Sequence, residues 1–247
     1  MNLKLSFVFI LWSVLLFISC TNNTTDNENF SDDITVVDPG DVRYIGKNNA
    51  SRSDVVPDGK AEPVVRKTAL PILGERDVNA KGDTTYHTIP AFKFVNQNGD
   101  TITNADFAGK AYVADFFFIH CPTICPKVAQ QMLRVYDKFK DNDRLALLAH
   151  TVDPKRDDVP ALKKYADRLE VSAPKWHFVT GDKDEIYEIA DDYFSIAMEN
   201  PDAPGGYDHS GRLILVDEKG RVRAFANGTD PDEVTQFLSD INVLLEE

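Results

Sequence analysis

The sequence predicts an α/β domain, a mixed sheet with helices on both faces that ends in an antiparallel strand pair. Three observations carry this expectation. Residues 111–118 and 145–152 are near-continuous apolar runs, of the length expected for strands buried on both faces. Segments with apolar residues at helical spacing alternate with such runs. Turn signals bracket the alternation, with Asn98-Gly99 near its start and Asp217-Glu218-Lys219-Gly220 near its end.

The elements follow in order. Residues 92–95 and 100–103 flank Asn96-Gln97-Asn98-Gly99 and predict a hairpin. The run Ala-Tyr-Val-Ala-Asp-Phe-Phe-Phe at 111–118 predicts the central strand. Val128, Met132, Val135 and Phe139 then recur at steps of four, three and four, which is one face of a helix. Strands are expected at 145–152 and 176–180. Helices are expected at 157–169 and 182–193, the latter with Ile186, Ile189 and Ala190 inward. Residues 213–216 and 222–226 predict the closing hairpin. Asp230-Pro231-Asp232-Glu233 supplies an N-cap, a proline at the first helical position and acid in the first turn. Val234, Phe237, Ile241 and Leu244 form the buried stripe of that last helix. A hairpin, then β-α-β-α-β-α, then a hairpin and a helix is the layout of the thioredoxin fold with an added N-terminal hairpin.

Composition bounds the function. With 43% hydrophobic residues, 15 Phe and only 3 Cys in 247 residues, the chain is neither collagen-like, nor a disulfide scaffold, nor wholly disordered. Its net charge of −13 offers no basic footprint for nucleic acid. Residues 1–19 carry only Lys4 as a charge, and 7–18 are almost wholly apolar, the pattern of a secretory signal too short to span a bilayer. Ser19 before Cys20 resembles a bacterial lipoprotein processing site, with Cys20 as the lipidated residue; the other reading is an uncleaved anchor helix. Either one places the chain at a membrane of the bacterial envelope, facing the periplasm. Residues 20–62 are polar and read as a tether. Residues 63–83 read as an extended lead-in or early hairpin, with the apolar run 68–73 broken by Pro71, and 84–247 as the folded domain.

The two remaining cysteines, Cys121 and Cys125, stand where the central strand hands over to the helix, in Cys121-Pro-Thr-Ile-Cys125-Pro126. Thr123 is the expected N-cap, which leaves Pro126 in the first turn. Free amides and the helix dipole at such a terminus favour thiolate, the form that reacts and binds metal. Helical residues four apart hold their Cβ atoms about 5–6 Å from each other, against roughly 3.5–4.5 Å in a relaxed disulfide. The spacing therefore suits a shared soft metal, Cu(I) or Zn, somewhat better than a disulfide, and local unwinding would permit both. A third ligand must come from the five histidines. His87 and His177 are expected at the surface, and His150 as a satisfied core or edge histidine. His120 should point away from Cys121, its neighbour on an extended chain. His209 is the best candidate, because in a thioredoxin fold the turn before strand 213–216 faces the cysteine pair. That turn, Tyr207-Asp208-His209-Ser210, follows a mobile-looking loop at 199–207 and lacks the proline usual there.

Together, Phe118-Ile-His-Cys-Pro-Thr-Ile-Cys-Pro126, Asp153-Pro-Lys-Arg-Asp157 and Asp208-His209-Ser210 resemble the SCO/SenC family of copper-binding proteins. The resemblance implies a membrane-anchored protein of the exported side that holds Cu(I), and Cu(II) as a second state, through Cys121, Cys125 and His209. It implies a role in assembling the binuclear copper centre of cytochrome c oxidase, whose copper-bearing subunit or another thiol acceptor would be the partner. It makes Asp208 an outer partner that orients the histidine. The Asp153–Asp157 motif reads as a turn that caps the next helix. Asp115 interrupts the most apolar strand six residues before Cys121, like the buried proton-relay acid of thioredoxins; its plainer role is a satisfied core carboxyl. Copper delivery by a monomeric carrier is the leading reading. Thiol-disulfide exchange by Cys121 and Cys125 without obligatory copper is the alternative, and a copper or redox sensor the third.

Overall fold

The structure is a computed structural model that describes residues 69–247; the expected leader, the lipidated Cys20 and the tether lie outside the described residues. Its strands are β1 (Arg76–Val78), β2 (Thr84–Tyr86), β3 (Lys93–Asn96), β4 (Thr101–Thr103), β5 (Ala111–Phe117), β6 (Leu145–Thr151), β7 (Trp176–Thr180), β8 (Ala197–Glu199), β9 (Tyr207–His209), β10 (Arg212–Val216) and β11 (Val222–Asn227). Four α-helices are interleaved, α1 (Cys125–Phe139), α2 (Val159–Arg168), α3 (Lys183–Asp192) and α4 (Pro231–Glu246). The main sheet has the order β11-β10-β5-β6-β7-β3-β4, with β5, β6 and β7 parallel and the other pairs antiparallel. This is the expected thioredoxin-like layout, and the added hairpin β3–β4 extends the sheet beyond β7.

Every residue of β5 and β6 is buried, which is why both read as unbroken apolar runs. The stripes also hold: Val128, Met132, Val135 and Phe139 of α1 are buried, as are Val234, Phe237, Ile241 and Leu244 of α4. Asp182 caps α3 and Asp230 caps α4 through their side chains.

Two details of topology create the site. The chain leaves β5 at its C-terminal end and turns through the cysteine motif into α1. β10 runs antiparallel to β5, with Ile214 opposite Ala114 and Val216 opposite Tyr112. The residues just before Arg212 therefore arrive at the end of β5 from which the cysteine loop departs. The other pole is closed by Arg223, almost fully buried, which donates to the carbonyls of Leu70 and Pro71 and pairs with Asp217 and Glu247.

Several local expectations are corrected. The early hairpin falls at β1–β2, whereas residues 69–73 lie along β11, Leu73 N–H donating to Val222 O at 2.8 Å. The segment 199–207 is the turn of a second small sheet, in which Ala197 of β8 pairs with His209 of β9. Asp158, not Asp157, caps α2, accepting from Ala161 N–H at 2.9 Å. His177 is buried and bonded to Asn96, not at the surface, because β7 lies inside the sheet against β3. His150 is buried as expected, but neither ring nitrogen has a hydrogen bond of normal geometry; the ring stacks on Phe116 at 4.9 Å, and burial pushes its basicity down to about 3.

Candidate metal centre

Cys125 is the first residue of α1, and Cys121 lies in the loop before it. The N-cap position is Ile124 and makes no side-chain cap bond; Pro126 takes the second helical position, where no amide is missed. Thr123 therefore does not cap the helix. Its hydroxyl lies 3.6 Å from Cys121 Sγ instead. Both cysteines are free and only 6% exposed.

His209 Nε2 lies 3.5 Å from Cys121 Sγ and 3.3 Å from Cys125 Sγ. The three ligand atoms all fall within 4.8 Å of one another, the one such group of three or more among the described residues. His120, 61% exposed, is outside it, with Nδ1 4.0 Å from Asp157 Oδ1. The electrostatics favour a ligand set. Burial lowers the His209 pKa, against the opposing pull of the Phe116 backbone and the Asp208 charge, so the ring stays neutral. Burial pushes the Cys121 thiol up, but hydrogen bonds from the Cys125 and Thr123 backbone and from the Thr123 side chain outweigh it and hold it below the ordinary thiol value. Burial dominates at Cys125 and pushes its thiol well up, with the Cys121 and Asp115 charges adding to it. The pair is thus unequal: Cys121 is the readier thiolate.

Asp115 lies beneath this pair. It is 3% exposed, Oδ1 has no hydrogen-bond partner, and burial raises its pKa to about 7. Its charge is felt by Cys125 and by Tyr165 of α2, which places the carboxyl on the α1–α2 side of the sheet. Asp208 is bonded to Asn200, Nδ2 donating to Oδ2 at 2.6 Å, rather than to the His209 ring, whose Nδ1 is buried without a hydrogen bond of normal geometry.

The motif at 153–157 does more than form a turn. Asp157, fully buried, accepts from Ile119 N–H at 3.0 Å and from the Thr151 hydroxyl at 2.6 Å, which fixes the arm that carries Cys121. Asp153 accepts from the Tyr207 hydroxyl at 2.8 Å and from Arg156, which also donates to Gly205 O at 3.2 Å; these bonds fix the arm that carries His209. One loop therefore holds both halves of the centre in place. Gly205, at φ +82°, completes the fit: a Cβ there would stand 2.7 Å from the Phe118 ring. Phe118 in turn packs edge-on to His209, with ring centres 5.4 Å apart. Sequence reasoning missed Tyr207, Arg156 and Gly205 in these roles. The paired glycines before Tyr207 were the available signal.

A family model described as SCO1/SenC matches residues 80–244. The chain belongs to the SCO1/SenC family. Among its SCO1/SenC relatives, the SCO1 protein homolog of Bacillus subtilis is 30% identical over 161 residues, covering 64% of this chain and 83% of the relative. The solved structure of BsSco, described with a disulfide switch as a member of the Sco family of cytochrome c oxidase assembly proteins, is 30% identical. It superposes with a TM-score of 0.56 over 64% of this chain and 93% of its own. Arabidopsis thaliana ScoI, solved with copper bound, is 25% identical at a TM-score of 0.52, covering 62% of this chain and 97% of the other.

Proposed function

We propose that this chain is a membrane-anchored copper carrier of the bacterial envelope, in which Cys121, Cys125 and His209 hold copper for delivery to the binuclear copper site of cytochrome c oxidase. The observation that carries the reading is the convergence of two sulfurs and one imidazole nitrogen within 4.8 Å. Two thiolates and a neutral imidazole form a soft set that suits Cu(I), and the imidazole makes Cu(II) accessible as a second state. Copper bound to a relative with the same fold and the assembly role described for BsSco support the assignment. On this reading residues 1–19 are a lipoprotein signal, Cys20 the lipid anchor, 20–62 a tether, 63–83 a lead-in and 84–247 the working domain, which acts as a monomer on a thiol-bearing acceptor. Among the described residues no helix is long and apolar enough to cross a membrane.

The experiment is metal analysis of the full chain after loading with Cu(I) and desalting. One copper per chain is expected for the wild type and none for the Cys121→Ser, Cys125→Ser double variant. Equal retention by the two proteins would remove the assignment.

A second reading is favoured by the unequal thiols and the buried acid below them. Cys121, the readier thiolate, attacks an acceptor disulfide; Cys125 then displaces the acceptor sulfur, forming Cys121–Cys125 and leaving the acceptor as a dithiol. The Cys125 proton passes to the Asp115 carboxylate, whose pKa of about 7 suits that exchange. The disulfide switch described for BsSco supports this second activity of the same pair.

A further inference from the structure

A groove of about 260 Å³ opens between α1 and α2 and is lined by both cysteines. Much of its wall is apolar, with Pro126, Ala129 and Leu133 from α1, and Ile119, Tyr165 and Leu169, while Gln130 adds one polar side chain. The cysteines are nearly buried at its base, while Arg168 is exposed at its edge. The guanidinium sits 5.0 Å from the centre of the Tyr165 ring, a cation–π contact that fixes it beside the opening. Among the described residues no carboxylate pairs with Arg168, since its neighbour Asp167 is engaged by Lys163. In a chain of net charge −13 this is an uncompensated cation at the one cavity that both sulfurs line among those described.

The opposite side of the centre is partly covered. His209 covers both sulfurs there, Phe118 backs His209, and Tyr207 backs Phe118 at 5.1 Å. Ile124 packs close to Gly211 there, so that a Cβ on Gly211 would stand 3.0 Å from its Cδ1. The groove is the described cavity that gives an outside thiol a shaped approach to both sulfurs.

We propose that this groove is the acceptor-docking site, and that it takes an extended peptide segment with an apolar side chain beside its cysteine and a carboxylate for Arg168. The inference rests on the copper-carrier reading above and names the partner's chemistry. The apolar side chain fills the space between Leu133 and Leu169, which sets the acceptor sulfur over the cysteine pair. That sulfur forms a bond to copper while one copper–cysteine bond breaks, and the acceptor's thiol proton passes to the released cysteine sulfur. Copper keeps its charge, and no electron moves.

The test uses the full chain and a synthetic peptide with leucine next to its cysteine and glutamate two positions on. Ala129→Phe fills the groove without touching a ligand. It is expected to slow Cu(I) transfer to the peptide by about tenfold, while transfer to free cysteine, which needs no groove, changes by less than about twofold. Arg168→Glu is expected to turn a preference for the glutamate peptide into one for its lysine counterpart, by about threefold in each direction. A peptide with serine for cysteine is expected to bind the copper-free wild type and not the Ala129→Phe variant. That arm decides the groove even if the chain holds no copper. Equal slowing with peptide and free cysteine, or equal binding of the serine peptide by wild type and Ala129→Phe, would overturn the proposal.

Discussion

Replacing His209 with alanine is expected to weaken copper binding by more than about a hundredfold, beyond what loss of an outer-shell contact costs. The imidazole nitrogen is the third donor, 3.3 and 3.5 Å from the two sulfurs, and burial keeps it in the neutral, ligating form. Two thiolates that remain would be left with an incomplete coordination shell. The fold should persist, because β9 keeps its pairing with β8, and Tyr207 keeps its bond to Asp153. His120→Ala is the matched control: that ring is exposed and outside the ligand group, so copper affinity should stay within about twofold. Competition titration against a Cu(I) chelator, with a thermal melt of each variant, separates lost ligation from lost structure. Equal affinity of wild type and His209→Ala would exclude the histidine as a ligand.

Asp115→Asn is expected to change stability in a pH-dependent way. The carboxyl is buried in the core beside Cys125 and Tyr165, and its folded pKa of about 7 lies well above the ordinary carboxyl value of 3.8. A carboxyl raised in the folded state is stabilising in its protonated form, below the unfolded pKa. That contribution is lost as pH rises through the folded pKa. The wild type should therefore lose up to about 4 kcal/mol from this group between about pH 4 and pH 7, and be flat above. Asparagine does not titrate, so the difference in unfolding free energy between variant and wild type should grow in the variant's favour across that window. Urea denaturation of the copper-free chain at several pH values measures it, and His150 cancels because it is present in both proteins. A difference that stays constant with pH would mean that Asp115 titrates near its ordinary value. In the same variant disulfide exchange should slow by about a hundredfold with copper affinity nearly unchanged, as loss of a proton acceptor requires. Equal loss of both would assign Asp115 to structure alone.

How much of this was legible in the sequence depends on the range of the interaction that made each feature. β5, β6 and α1 were legible because burial writes itself into every residue or every helical turn, as in the unbroken run at 111–118 or the stripe from Val128 to Phe139. The cysteine pair and His209 were legible through the fold, since β10 must return to the end of β5 where the cysteine loop departs. The three-residue strands β8 and β9 were not, being too short to show a period and joined by a Pro- and Gly-rich turn. Thr123 carried the right residue type for a cap, yet a local contact with Cys121, two residues before it, took its hydroxyl. Nor could local pattern show that Asp153 meets Tyr207 54 positions later, or that Asp157 meets Ile119 38 positions earlier. Those bonds exist only once the sheet has brought two loops to one pole.

X-ray absorption of the full chain loaded with one equivalent of Cu(I) tests the central claim most directly. Two sulfur scatterers at about 2.3 Å and one imidazole nitrogen around each copper are the expected result, with the nitrogen contribution absent in His209→Ala. A copper held by sulfur alone in the wild type, or by a nitrogen that survives the loss of His209, would contradict the account.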